Sequence, residues 1–182
     1  LKEQVKPHFL FNSLSTLIGL IDEDKERAKK FVEELAFVYR YLLQSSEKPL
    51  IPLSEELAFI KAYYFLLKTR FDERLLLDIY VGNEIAQQMI PPLTLQILLE
   101  NAVKHNIISQ ETPLHIVISE VNSNKVVISN TLQRRAQSVV STQTGLANLA
   151  AKYQLMQQPG PEIFETQDKF SVQITLLPNQ AS

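Results

Sequence analysis

His8 stands in the stretch Pro7-His8-Phe9-Leu10-Phe11-Asn12, where little else is chemically reactive. An imidazole in that setting is a candidate acceptor of a phosphoryl group. Pro7 suits the first turn of a helix, since its missing N–H would have no partner there anyway. At about 100° per residue, Leu10, Phe11, Leu14, Leu17, Ile18 and Ile21 share one stripe, expected to be buried against another helix. His8 falls on the other side with Asn12, Ser15 and Gly19, a small and polar face that another domain can approach closely. Asn12, one turn on, is placed to orient the ring. On this stretch alone a solvated histidine near a chain terminus is the plainer reading.

A second constellation lies in Leu93 through His105. On a helical wheel Leu95, Leu98, Leu99 and Ala102 face inward, while Glu100, Asn101, Lys104 and His105 occupy one arc of roughly 140°. A carboxylate, a carboxamide, an ammonium and an imidazole are what a magnesium–nucleotide site needs: oxygen ligands for Mg²⁺ and a cation for phosphate oxygens. Taken as composition, the same face is also a solvated helix surface with a Glu–Lys pair worth a few tenths of a kcal/mol. His115, at the start of a strand, reads as structural or exposed.

The elements that must position these groups are legible in outline. Of 182 residues 45% are apolar and 21% charged, which describes a globular chain. A formal charge of -2 gives no reason to expect nucleic acid, and the absence of cysteine excludes disulfides and Cys-ligated metal. No apolar run approaches the roughly 18 residues a membrane span needs, and no signal-peptide pattern is present. With Leu at position 1 and the best motif a few residues later, the chain is expected to be a fragment of a longer protein.

After the first helix, Asp22-Glu23-Asp24 breaks the pattern before Ala28, Phe31, Val32, Leu35, Val38, Tyr39 and Leu42 recur at helical spacing. Two amphipathic helices so connected form an antiparallel hairpin, which buries both stripes by dimerising into a four-helix bundle or by packing on the next domain. Pro49 and Pro52 place a domain boundary, giving a hairpin over 1–48 and a second unit over 53–182. Ser54 then reads as an N-cap with Glu55 and Glu56 in the first turn. A helix to about Phe71, a strand Leu75 to Val81, a helix to about Asn106, strands His115 to Val121 and Lys125 to Asn130, a polar segment Thr131 to Thr144, a helix from Gly145 and a closing hairpin over 162–177 follow. Three helices and about five strands describe a two-layer α/β sandwich.

Gln4 through Leu14, Arg40-Tyr41-Leu42, Arg70-Phe71, Pro92-Leu93 through Glu100-Asn101-Ala102-Val103-Lys104-His105, and Gly145 through Leu149 resemble, in order and spacing, the LytS/YehU-type sensor histidine kinases. The Pro-His-Phe-Leu-Phe-Asn and Glu-Asn-Ala-x-Lys-His stretches are each specific and stand about 90 residues apart. The resemblance covers nearly the whole chain. It implies an α+β fold, with a phosphoacceptor and dimerisation hairpin followed by a sandwich of the Bergerat (GHKL ATPase) type. It further implies that His8 is the phosphoacceptor, Asn101 the Mg²⁺ ligand, and Glu100, Lys104 and His105 the lining of the triphosphate region. Asn130 would lie near the adenine, and Gly145 with Leu146 would end the ATP lid. ATP and Mg²⁺ are the implied cofactors. A homodimer and a response regulator, often one with a LytTR DNA-binding domain, are the implied partners. The chain would be the cytoplasmic portion of an inner-membrane protein anchored by a segment it does not contain.

Two departures qualify the resemblance. Asn130-Thr131-Leu132 stands where many relatives carry Asp-x-Gly-x-Gly, and Ser141 and Gln143 stand where lid glycines are expected. Glycines there let backbone N–H groups approach phosphates; Arg134 and Arg135 offer a partial substitute. Two competing readings follow: a non-catalytic dimerisation and docking module with a weakened pocket, and an ATP hydrolase in which Glu100 activates water.

Overall fold

The computed structural model describes residues 7–45, 48–133 and 142–179. Its first two helices, α1 (Pro7–Glu23) and α2 (Lys25–Ser45), are separated by Asp24 alone. Asp24 Oδ1 accepts a hydrogen bond from the Arg27 N–H at 3.0 Å, which satisfies an otherwise orphaned donor at the start of α2. Ala28, Phe31, Leu35, Val38 and Leu42 are buried along one face of α2. Val32, expected beside them, is 45% exposed because it sits about 100° from Phe31.

The buried face of α1 differs from the expected one. Phe11, Leu14, Ile18 and Ile21 are exposed, whereas Ser13 and Leu20 are buried and Phe9 and Leu17 pack against the core. The reason is a third helix. The chain continues into β1 (Ile51–Pro52) and α3 (Leu53–Phe71), and α1 leans on α3 as well as on α2, so its inward face is turned roughly a third of a turn from the apolar stripe. Rings bridge the contact: Tyr41 stacks on Phe59 at 4.2 Å, Phe59 on Tyr63 at 5.9 Å, and Tyr63 on Phe9 at 5.2 Å. One buried cluster thus runs from the hairpin across the proline-marked boundary into the rest of the chain.

Ser54 does not cap α3. The cap position is Pro52, with no side-chain bond. Strand β1 pairs antiparallel with β3 (Met89–Ile90) and runs straight into the helix. The Leu53 N–H is met by the Gln88 carbonyl at 2.7 Å, so that donor needs no hydroxyl. These two-residue strands and the short α4 (Asn83–Ala86) have too little length to show a period and were not expected.

A 3₁₀ turn (Asp72–Arg74) leads to β2 (Leu75–Tyr80); α5 (Thr94–His105), β4 (Leu114–Asn122), β5 (Lys125–Thr131), α6 (Thr142–Leu155), β6 (Glu162–Glu165) and β7 (Lys169–Thr175) complete the chain. The main sheet has the order β2-β4-β5-β7-β6, with β2 parallel to β4 and every other pair antiparallel. Alternation puts Ile116, Ile118, Val126, Ile128, Val172 and Ile174 into the core. On the opposite face Asp78 and His115 pair at 2.7 Å. Mixed helices and sheet in this arrangement agree with the expected fold class.

Glu56 of α3 is fully buried. Its Oε2 accepts from the Tyr41 hydroxyl at 2.5 Å and from the Leu93 N–H at 3.1 Å, and its Oε1 accepts from the Leu95 N–H at 3.2 Å. Burial pushes its carboxyl up to about 7, against the pull of those three donors and of Lys152. The unfolded chain titrates near the ordinary 4.5, so between the two values the folded state holds the extra proton. The resulting stability is fully present below about 4.5 and lost as pH rises through about 7. Thermal unfolding from pH 5 to 8 is therefore expected to show a fall of several degrees in the wild type that is missing in Glu56→Gln, which cannot titrate. Parallel profiles for the two proteins would contradict the assignment.

Candidate functional site

The site is built on α5. Pro91 and Pro92 are buried ahead of it, and Leu93 adopts a left-handed conformation (φ 67°) at its cap position. Leu95, Leu98, Leu99 and Ala102 are buried along the helix, as the wheel requires. The polar arc, however, does not converge on one place. Asn101 and His105, one turn apart, line a cavity of about 660 Å³. Glu100 points instead toward α3, where its Oε1 accepts from the Tyr63 hydroxyl and from Gln96 Nε2, each at 3.0 Å. Lys104 is exposed and lies outside the lining. The helix is held between α3 and the cavity, and 100° per residue sends neighbours in sequence to different sides of it.

Three strands of the sheet and α6 close the cavity. From the sheet come Asn130, Phe170, Ile163 and Glu165, aligned by register, since Asn130 pairs with Phe170 and Phe170 with Glu165. From α6 come Leu146, Ala147 and Ala150, while Leu149 and Tyr153 on the adjoining face are fully buried. Gly145 is not in the lining; its place is at the contact between α6 and α5, where a Cβ would come within 3.1 Å of Ile97 Cγ2. The hydrogen of this glycine is what lets the two helices approach. His8 and Asn12 stand apart from the cavity, on α1. Arg134, Arg135 and Ser141 lie outside the described residues, as does the side chain of Gln143.

Asn106 was not singled out by the sequence, yet it ties the cavity's two walls together. Its Nδ2 donates to the Ala102 carbonyl at 2.8 Å, its Oδ1 accepts the Gln133 N–H at 2.6 Å, and the Ile107 N–H reaches the Gln133 carbonyl at 2.8 Å. The end of α5 is thereby stitched to the segment leaving β5. Only its position after a helix C-terminus hinted at this. Glu165, Ile163 and Phe170 were missed for a different reason: they reach the cavity through strand register, which a single sequence does not display.

The donor set suits a nucleotide with a hard cation. The lining is mostly apolar with a few convergent polar groups, as small-molecule sites are, and its volume falls in the usual range. Asn101 Nδ2 is buried without a hydrogen-bond partner among the described residues, an orphaned donor on the cavity wall that a bound acceptor would satisfy. Asn130 Nδ2 is committed to the Thr131 carbonyl at 2.7 Å, so the side chain offers its oxygen to the cavity. An aspartate in the same rotamer would set an oxygen against that carbonyl, which gives the carboxamide in this chain a local reason. Among the described residues no group of three or more His, Asp or Glu is spaced to hold a metal, so a cation here would rest on Asn101 and on its ligand's own oxygens.

On the hairpin, the His8 ring is exposed, and its Nδ1 lies 3.1 Å from Asn12 Nδ2. With the amide nitrogen toward the ring, Nδ1 accepts and the ring proton sits on Nε2. With the amide turned over, Oδ1 accepts from Nδ1–H and the lone pair is left on Nε2.

A profile described as histidine kinase matches residues 1–75 of the chain. The sensor protein LytS of Bacillus cereus is 38% identical over 105 residues, which cover 58% of this chain and 18% of that protein. The sensor histidine kinase/phosphatase LytS of Staphylococcus aureus is 32% identical over 139 residues, covering 76% of this chain and 24% of that one. The matched region thus spans about a fifth of the length of these relatives. Among solved structures, the histidine kinase AdeS of Acinetobacter baumannii aligns over 92% of this chain and 95% of its own, at a TM-score of 0.46 and 14% identity.

Proposed function

We propose that this chain, a relative of the LytS-type sensor histidine kinases, is the kinase core of such a protein. ATP held between α5, α6 and the sheet passes its γ-phosphoryl group to His8, and the phosphohistidine then supplies an aspartate of a response regulator. The observation that supports this reading is the presence, in one chain, of an exposed imidazole beside Asn12 and of an apolar cavity whose polar wall is Asn101, His105 and Asn130. Residues 1–48 serve in this reading as the acceptor and dimerisation hairpin, and residues 53–182 as a Bergerat-type ATP-binding unit.

Mg²⁺, held by Asn101 and the phosphates, would supply charge neutralisation at the γ-phosphoryl group. The rest falls to side chains of this chain. Asn130 accepts the amino group of the adenine through its oxygen, and His105 stands on the phosphate side of Asn101. Lys104 at the exposed end of α5 is the cation for phosphate oxygens, with Leu146 and the Gly145 contact setting the start of α6 against the nucleotide. Glu100, bonded to Tyr63 and Gln96, supports α5 and does not reach the reacting atoms. With its amide turned so that Oδ1 faces the ring, Asn12 accepts from Nδ1–H and presents Nε2 as the nucleophile. The Nε2 lone pair forms the N–P bond as the bond to the bridging oxygen of ADP breaks, and the Nδ1 proton passes to solvent.

A homodimer would cover the exposed Phe11, Leu14, Ile18 and Ile21 of α1. Among the described residues no helix is long and apolar enough to cross a membrane; in this reading the anchor belongs to another part of the protein, and the chain is its cytoplasmic portion. The regulator would be of the LytTR type, the usual partner of the family. Titration calorimetry with a non-hydrolysable ATP analogue and Mg²⁺ tests the cavity: binding at roughly 10⁻⁴ M or tighter is expected. Asn130→Leu should weaken it about tenfold, the worth of one buried hydrogen bond. No heat at millimolar nucleotide would leave a docking module with a decayed pocket in place of a kinase.

A further inference from the structure

Glu56 takes no part in the chemistry above, yet four elements meet at its carboxylate. It is borne on α3 and accepts from Tyr41 of α2 and from Leu93 and Leu95 at the start of α5, and Lys152 of α6 is close enough to act on it. α5 has no side-chain cap of its own. Two of the N–H groups its first turn leaves orphaned are met by Glu56 from another helix. One of them belongs to Leu93, whose left-handed backbone is strained in a residue with a Cβ. An apolar residue would fill the same space without the cost of burying a carboxylate, so the group calls for an explanation beyond packing.

We propose that Glu56 is a positioning residue: through Tyr41 it ties the acceptor hairpin to the first turn of α5, and so sets where Asn101 and His105 stand in the cavity. This rests on the cavity's being the nucleotide site. Leu95 and Asn101 are six residues apart on one rigid helix, about 9 Å, so a shift at the capped end is carried to the cavity wall. The tie joins the helix pair that bears His8 to the helix that bears Asn101, the two parts that phosphoryl transfer has to bring together. A hairpin that moves as a dimer rearranges would thereby alter nucleotide affinity without touching the nucleotide.

Tyr41→Phe isolates the tie. It removes one hydroxyl and leaves the ring stacked on Phe59 at 4.2 Å, so the fold is kept. Tyr39→Phe is the matched control, because the Tyr39 hydroxyl is buried on the same helix without a hydrogen-bond partner among the described residues. With the whole chain, calorimetry against the ATP analogue and Mg²⁺ is expected to show a Kd raised about 3- to 10-fold in Tyr41→Phe and unchanged in Tyr39→Phe. Amide exchange at Leu93 and Leu95, measured without nucleotide, should quicken in the first variant only. Glu56→Gln, which sets an amide N–H₂ against one of the donors, should exceed both effects if it folds. Unchanged Kd and exchange in folded Tyr41→Phe, or equal shifts in the two tyrosine variants, would overturn the proposal. Should the wild type bind no nucleotide, the cavity reading fails, and the exchange arm still decides whether the tie exists.

Discussion

Substitution His8→Gln is expected to abolish acid-labile, base-stable phosphate on the chain after incubation with ATP and Mg²⁺, while the affinity for the ATP analogue stays within about twofold. Both halves follow from the geometry. His8 lies on α1, apart from the residues that line the cavity, so its loss leaves the nucleotide's surroundings as they were. Glutamine has no ring nitrogen with a lone pair to form an N–P bond, and of the other two histidines His105 lines the cavity and His115 is paired to Asp78 on the far face of the sheet. Phosphate release that continues undiminished in the variant would favour the hydrolase reading. That reading asks Glu100 to activate water, whereas Glu100 is occupied by Tyr63 and Gln96. Label that survives the substitution would remove the role assigned to His8.

What the sequence disclosed and what it withheld divide along a physical line. Periodicity placed α2, the end of α5 and the β4–β5 hairpin to within a residue or two, because each is long enough to repeat its pattern and has one dominant partner, whereas α5 begins at Thr94 and not at Pro91 and Pro92, which were expected to open it. It misjudged α1, whose apolar stripe is complete but whose buried face was decided by Phe9 meeting Tyr63 on α3. Periodicity ranks faces by hydrophobicity; it does not say which is covered within one chain and which is left for another. The same limit applies to the polar arc of α5, whose members do not converge on one place: Asn101 and His105 face the cavity, Glu100 the aromatic contact with the hairpin. Glu56 was read as a first-turn carboxylate favoured by its own helix's dipole. It serves the start of a different helix, 37 residues on from it at Leu93, and nothing local in Ser54-Glu55-Glu56 distinguishes the carboxylate that is buried from the one that is not.

The uncovered stripe of α1 sets the second large effect. Phe11, Leu14, Ile18 and Ile21 follow one another at spacings of three and four, and Phe11 and Ile18 are each 67% exposed. Val32 and Leu43 of α2 are also exposed, so the hairpin's outer surface is apolar on both helices, as a bundle half is. A two-fold dimer would bring each stripe against its copy, and any substitution then enters the interface twice. Ile18→Glu removes two buried isoleucines, worth about 2–3 kcal/mol apiece, and sets two like charges into an apolar seam. Together these weaken association by at least a thousandfold. Sedimentation of the wild type at micromolar concentration is expected to give a dimer and that of Ile18→Glu a monomer, with helix content and thermal midpoint nearly unchanged because Ile18 makes little contact within the chain. A wild type that stays monomeric across the concentration range, or an Ile18→Glu protein as dimeric as its parent, would show that this face serves something other than a second copy.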